Sequence, residues 1–166
     1  MIRRLLPLAL SLVALATLTS CGTFSNNHEA ASVNGVALDR SDLELYTREL
    51  YAVQGGTILA DQPREVLSNW VIDELIRQYL ADQNVAVDDV TITQATTQVE
   101  SGLMGQQLQV SDATRSFLID STALRLAFSS TQQDGALLDF AKAASVAIDP
   151  RYGRWSLDAG AVVPLG

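Results

Sequence analysis

The stretch Asp61-Gln62-Pro63-Arg64-Glu65-Val66-Leu67-Ser68-Asn69-Trp70-Val71-Ile72-Asp73-Glu74-Leu75-Ile76-Arg77-Gln78-Tyr79-Leu80-Ala81-Asp82-Gln83-Asn84 decides the fold class. Val66, Trp70 and Val71, then Leu75, Ile76, Tyr79 and Leu80, recur at spacings of three and four, the period of a helix that buries one stripe. Pro63 falls in the first turn, where its missing N–H costs little, and Asn84 is a plausible C-terminal break. This is the longest amphipathic segment in the chain. Adjacent residues on a helix point in different directions, so Asp73 and Glu74 read as solvated rather than as a catalytic pair.

Upstream, Ala31-Ser32-Val33-Asn34-Gly35-Val36-Ala37-Leu38 sets an Asn-Gly pair between two short β-prone runs, the signature of a hairpin with a type I′ turn. Ser41 and Glu44 have capping-box spacing, and the helix they open carries Leu43, Tyr46, Leu50 and Tyr51 on one stripe until Gly55-Gly56. Downstream, after Val85-Ala86-Val87, Asp88 or Asp89 caps a third helix to about Ser101, and Gly102-Leu103-Met104-Gly105 reads as an apolar loop. Ser111 or Asp112 starts a helical stretch to about Ser129 with Phe117, Leu118, Leu124 and Phe128, either whole or divided at Asp120-Ser121-Thr122. Asp134 to Ser145 forms another, with Leu137, Leu138 and Phe140 as core candidates. Val146-Ala147-Ile148 is a strand halted by Pro150. The fold class is mostly α, with a small β element pairing the start and end of the mature chain.

The first twenty-odd residues have a different character. Met1–Arg4 is a short positive segment, and Leu5–Leu18 is apolar but short for a permanent membrane span. Leu18-Thr19-Ser20-Cys21 resembles the bacterial lipoprotein box, in which small residues admit the peptidase and the cysteine thiol accepts a diacylglyceryl group. The expected organisation is a signal peptide over 1–20, a lipidated tether over 21–30, a helical domain over 31–157 and a C-terminal tail over 158–166. Lipidation at Cys21, with palmitate-type acyl chains, would anchor the chain at the extracytoplasmic face of the cell membrane. His28, the sole histidine, falls in the tether and reads as a solvated linker residue.

Composition removes several chemistries. The 11 basic and 19 acidic side chains give a net charge of −8, and loss of Arg3 and Arg4 with a signal peptide would make it more negative, so nucleic-acid binding is not expected. A single cysteine leaves no internal disulfide, and a single histidine gives no basis for a His-based metal cluster. Its place in the tether, with no Gly-x-Ser-x-Gly elbow in the chain, argues against a Ser-His-Asp triad. Asp88 and Asp89 read as a helix cap, and no phosphate-binding loop is present. No enzyme activity, cofactor, metal or small-molecule substrate is expected. What remains is apolar recognition: Leu103 and Met104 in the glycine-flanked loop, Tyr46 and Tyr51 on the first long helix, and Trp155 beside Arg151 and Arg154. Each tyrosine also suits ordinary core packing, and Trp155 suits a staple between the closing strand and the helices.

Three segments carry a family resemblance. Val33-Asn34-Gly35-x-x-Leu38 followed by Ser41-Asp42 resembles the opening of the SurA and PrsA family of extracytoplasmic chaperones. Trp70-Val71-Ile72-Asp73-Glu74-Leu75-Ile76, with Val85-Ala86-Val87-Asp88-Asp89 behind it, is similar to that family's apolar helix and the start of the next one. Val146-Ala147-Ile148-Asp149-Pro150-Arg151-Tyr152-Gly153-Arg154-Trp155 is similar to the closing strand of stand-alone SurA-N-like lipoproteins of the actinobacterial type. The resemblance implies a helical domain of the SurA-N and trigger-factor kind that holds unfolded exported polypeptides in an apolar groove. SurA and PrsA add a parvulin prolyl isomerase, for which the stretch after Ile148 is too short. A structural or adaptor lipoprotein docking one dedicated envelope partner is the alternative, since either role needs an apolar groove.

Overall fold

A computed structural model of the chain describes residues 28–51, 58–131 and 134–166. The expected signal peptide, Cys21, most of the expected tether and the expected helix stop at Gly55-Gly56 lie outside the described residues. Strands β1 (Glu29–Val33) and β2 (Val36–Asp39) form a hairpin, followed by helices α1 (Arg40–Tyr51), α2 (Gln62–Asp82), α3 (Asp89–Gly105), α4 (Asp112–Ser129) and α5 (Asp134–Ala143). Strands β3 (Val146–Ile148), β4 (Arg154–Ser156) and β5 (Ala161–Val163) close the chain. The architecture is mostly helical with a small antiparallel β component.

The Asn-Gly turn forms as its chemistry demands. Asn34 and Gly35 take φ of 49° and 88°, and Val33 pairs with Val36 across a two-residue loop. One sheet has the order β2-β1-β3, with Ala31 opposite Ile148 and Val33 opposite Val146, so the opening hairpin pairs with the strand after α5, while β4 and β5 form a separate two-stranded sheet. Ala30 is fully buried and Glu29 already lies in β1, which moves the start of the folded domain into the expected tether. His28 is exposed, but its carbonyl accepts a hydrogen bond from Arg40 N at 2.6 Å. At the other end, the expected tail contains β5, whose Val162 is buried in the main core.

Helix α2 is the axis of the domain, packing against α1, α4, α5, β1 and β5. Leu67, Val71 and Leu80 are 0–2% exposed, and each such side chain contributes about 1.5–3 kcal/mol on burial. The expected single buried stripe is too narrow: Asp73, Glu74, Leu75 and Ile76 are all buried, and four consecutive residues reach nearly all round a helix. The helix ends as foreseen at Asn84. Asn84 adopts φ of 55° while Val85 N donates to Leu80 O at 2.8 Å and Asn84 N to Ala81 O at 3.1 Å, a Schellman closure.

Other boundaries differ. Helix α1 begins at Arg40, so Ser41 lies inside its first turn rather than at its cap. Asp88 does cap α3, accepting from Thr91 N at 2.7 Å, and Ser111 caps α4 through Thr114 N at 3.3 Å. Helix α4 runs unbroken through Asp120-Ser121-Thr122, and the Thr122 hydroxyl donates back to Leu118 O within it. Leu138, expected in the core, is 47% exposed, whereas Leu137 and Phe140 pack against the core.

The largest correction is Gly102-Leu103-Met104-Gly105, which is the last turn of α3 and not a loop. Two glycines disfavour helix by about 1 kcal/mol each relative to alanine, but Leu103 is buried at 6% exposure and holds the turn down. The Schellman closure falls two residues later, with Gln107 at φ of 55° and Leu108 N donating to Leu103 O at 2.9 Å.

Candidate functional site

Helices α1 and α4 wall two adjacent depressions. The first is a groove of about 400 Å³ completed by α3 and lined by Leu50, Tyr51, Val99, Leu103, Leu108 and Leu118. The tight turn after α3 exists because Leu103 faces inward, so the residue that corrects the helix boundary also floors the groove. Glu49 fixes the geometry from α1: its Oε2 accepts from Ser111 N at 2.9 Å and Ser111 Oγ at 2.8 Å, tying α1 to the cap of α4. Burial raises the pKa of Glu49, but hydrogen bonds from Thr114 and Ser111 and the nearby Arg48 charge outweigh it and hold the carboxyl below its usual range. Arg115 and Glu100 form an ion pair that ties α4 to α3.

The Tyr51 phenol is pushed up to about 12, chiefly by burial, then by its hydrogen bond to Glu65 and the charges of Glu65 and Asp61. It is therefore a neutral, half-buried ring with an engaged hydroxyl, suited to apolar contact rather than to acid–base work.

The second depression is a cleft of about 340 Å³ between α1, α4 and α2. Tyr46 stacks on Phe117 there, with ring centroids 4.5 Å apart and planes 5° from parallel. Trp70, Asp73, Glu74, Arg77 and Asp120 complete the lining. Burial and the charges of Asp42 and Asp120 push the Tyr46 phenol above its ordinary range.

Asp73 and Glu74, expected to be solvated, are 4% and 6% exposed. Asp73 is paired across helices, whereas Glu74 is held by residues three and four positions on along α2. Arg125 Nε on α4 donates to Asp73 Oδ1 at 2.8 Å, and Arg125 Nη2 reaches Asn69 Oδ1 at 2.9 Å. Glu74 accepts from Gln78 Nε2 at 2.8 Å and Arg77 Nε at 3.2 Å. Gln78 Nε2 also donates to Val33 O at 3.1 Å, and Gln78 Oε1 accepts from Asn34 Nδ2 at 2.7 Å. The buried Glu74 thereby anchors the Asn-Gly turn, a structural duty. Asp73 Oδ2 is buried and has no hydrogen-bond partner among the described residues.

The site residues expected from sequence separate accordingly. Tyr51 and Leu103 meet in the groove, and Tyr46 lies in the neighbouring cleft. Met104 is 71% exposed and lines neither depression. Trp155 packs against the main core from β4, away from α3. Arg151 does not act with it as a free basic patch, because its Nη2 pairs with Asp149 Oδ2 at 2.8 Å. The sequence reading missed Val99, Leu108, Phe117 and Trp70 as site-lining residues. Their apolar character was visible, but which helix faces leave a gap depends on packing.

Among the described residues, no three His, Cys, Asp or Glu side chains are grouped to hold a metal ion, and no helix is long and apolar enough to cross a membrane. Comparison with protein-family models, curated proteins and solved structures gives no match to this chain.

Proposed function

We propose that this chain is an extracytoplasmic lipoprotein, anchored through Cys21, whose SurA-N-like helical domain holds unfolded exported polypeptides. The supporting observation is the open apolar groove walled by α1, α3 and α4, with Tyr51 and Leu103 in its lining. Apolar side chains of a client would bind there by exclusion of water, with no catalytic step and no cofactor. Val90, Ile92 and Met104 on α3 add exposed apolar side chains outside the groove lining. The net charge of −8 keeps such a surface soluble while a client is held.

The test is suppression of aggregation of a chemically unfolded protein by the full chain in detergent micelles. Suppression that is lost in Leu108→Asp and retained in Met104→Asp places the activity in the groove. Loss in Met104→Asp alone moves it to the outer face of α3. No suppression at several-fold molar excess rejects the holdase and favours an adaptor for one envelope partner. Cys21→Ser is expected to abolish incorporation of radiolabelled palmitate and shift the chain from the membrane to the soluble fraction. Unchanged labelling would reject that anchor.

A further inference from the structure

The cleft between α1, α2 and α4 differs from the groove in kind. Aromatic rings of Tyr46, Trp70 and Phe117 share it with the carboxylates of Asp73, Glu74 and Asp120. Arg77 answers part of that charge, donating to Glu74 at 3.2 Å and lying 3.7 Å from Asp120. Asp73 lines the same cleft with one carboxylate oxygen held by Arg125 and the other unpartnered among the described residues. A buried acceptor left unpaired favours any donor that reaches it. Aromatic faces beside carboxylates favour a cation, which the rings attract through their quadrupoles.

We propose that this cleft binds an alkylammonium group, the lysine side chain of a client polypeptide. Asp73 has one unpaired oxygen among the described residues, which a compact ammonium satisfies with a single bond, whereas the two-point fork of a guanidinium would find no matching pair on Asp73, whose other oxygen Arg125 already holds. The source of the ammonium rests on the polypeptide-holding reading; the chemistry of the cleft does not. Because α1 and α4 wall both depressions, the client preferred by this domain is apolar with lysine nearby, rather than uniformly apolar.

The chain has two tryptophans, one in the cleft and one on β4 packed against the core, so the indole N–H signals of the ¹⁵N-tryptophan-labelled full chain in detergent report both places at once. The signals are assigned with Trp155→Phe and titrated with butylammonium, with an unfolded lysine-containing peptide, and with the same peptide carrying norleucine for lysine. The Trp70 signal is expected to move saturably with the lysine peptide, more weakly with butylammonium, and not with the norleucine peptide. Asp120→Asn, a change at an exposed carboxylate, is expected to weaken the response by about threefold or more, as is a rise in salt. A response to butylammonium without one to the lysine peptide keeps the ammonium site and removes its polypeptide source. No saturable movement of Trp70 with either amine, or equal movement with the norleucine peptide, overturns the site. Suppression of aggregation that persists in that case leaves the groove reading standing.

Discussion

Gly153 takes φ of 130°, and a Cβ at that position would lie 2.1 Å from the carbonyl oxygen of Val163. Both the backbone conformation and the close approach of β5 therefore require glycine. Gly153→Ala is expected to cost about 1–3 kcal/mol from backbone conformation alone, with the clash added, read as a fall in the midpoint of thermal unfolding. Four residues earlier in the fold's closing turn, the buried Asp149 accepts from Arg151 N at 3.0 Å and pairs with Arg40 at 3.2 Å. Burial pushes its carboxyl up, but hydrogen bonds from Arg151 and the charges of Arg151 and Arg40 outweigh this and hold it below its usual range. A carboxyl depressed in the folded state stabilises fully above its unfolded pKa and loses that contribution as pH falls through the folded value. The stability difference between the parent and Asp149→Asn is thus expected to be constant near neutrality and to shrink below about pH 4, measured by urea unfolding across pH.

At the scale of elements, α3 shows how far local pattern reaches. Its capped start at Asp88 was legible, because Asp is a good acceptor for a free N–H and apolar residues follow it. Its end was not, because Gly102 and Gly105 argue locally for a loop while the burial of Leu103 argues for helix only once its neighbours are in place. The same limit hid the ion pair of Asp73: helical period shows which residues of α2 align, including the Glu74–Arg77 pair three apart, but not that α4 brings Arg125 across to Asp73. The hairpin, the five helices and the closing strand β3 were legible because each is marked by its own turn, cap or period. The groove was legible only in Tyr51 and Leu103, since its remaining lining depends on how helices stack. Two substitutions separate these effects. Leu103→Ala is expected to cost about 2–5 kcal/mol as a buried truncation. Gly102→Ala, where an added Cβ meets nothing within 4 Å and φ is not positive, is expected to stabilise by about 0.4–1 kcal/mol. Both are read from urea midpoints, and a destabilising Gly102→Ala would mean that the last turn of α3 is not helical.

At the scale of the whole molecule, the chain's closing residues complete the core around α2 rather than trailing from it. Val162 is 5% exposed, its N–H donates to Ser68 Oγ at 2.8 Å, and Ser68 Oγ in turn donates to Arg64 O at 2.6 Å, so β5 is bonded to the side of α2. β5 also supplies the only described pairing partner of β4, setting Val162 opposite Trp155. Removal of residues 158–166 would therefore expose Val162's place against α2, leave β4 unpaired and uncover the Trp155 ring. Tolerance of truncation follows burial and backbone bonding rather than position in the chain. Val162→Ala should cost about 1–3 kcal/mol, the range for loss of most of a buried aliphatic side chain, with little change in the dependence on urea. Deleting 158–166 should cost clearly more, because it adds the lost strand pairing and the lost bond to Ser68, and should bring the Trp155 emission toward that of a solvated indole. If the deletion leaves the urea midpoint and the emission unchanged, β5 contributes nothing to the core and the folded domain ends near Leu157. If both move together while far-UV circular dichroism keeps most of its helical signal, β5 is the cover of an otherwise self-sufficient helical bundle. Loss of the helical signal as well would mean that α2 needs covering from the strand side in order to hold the helices together.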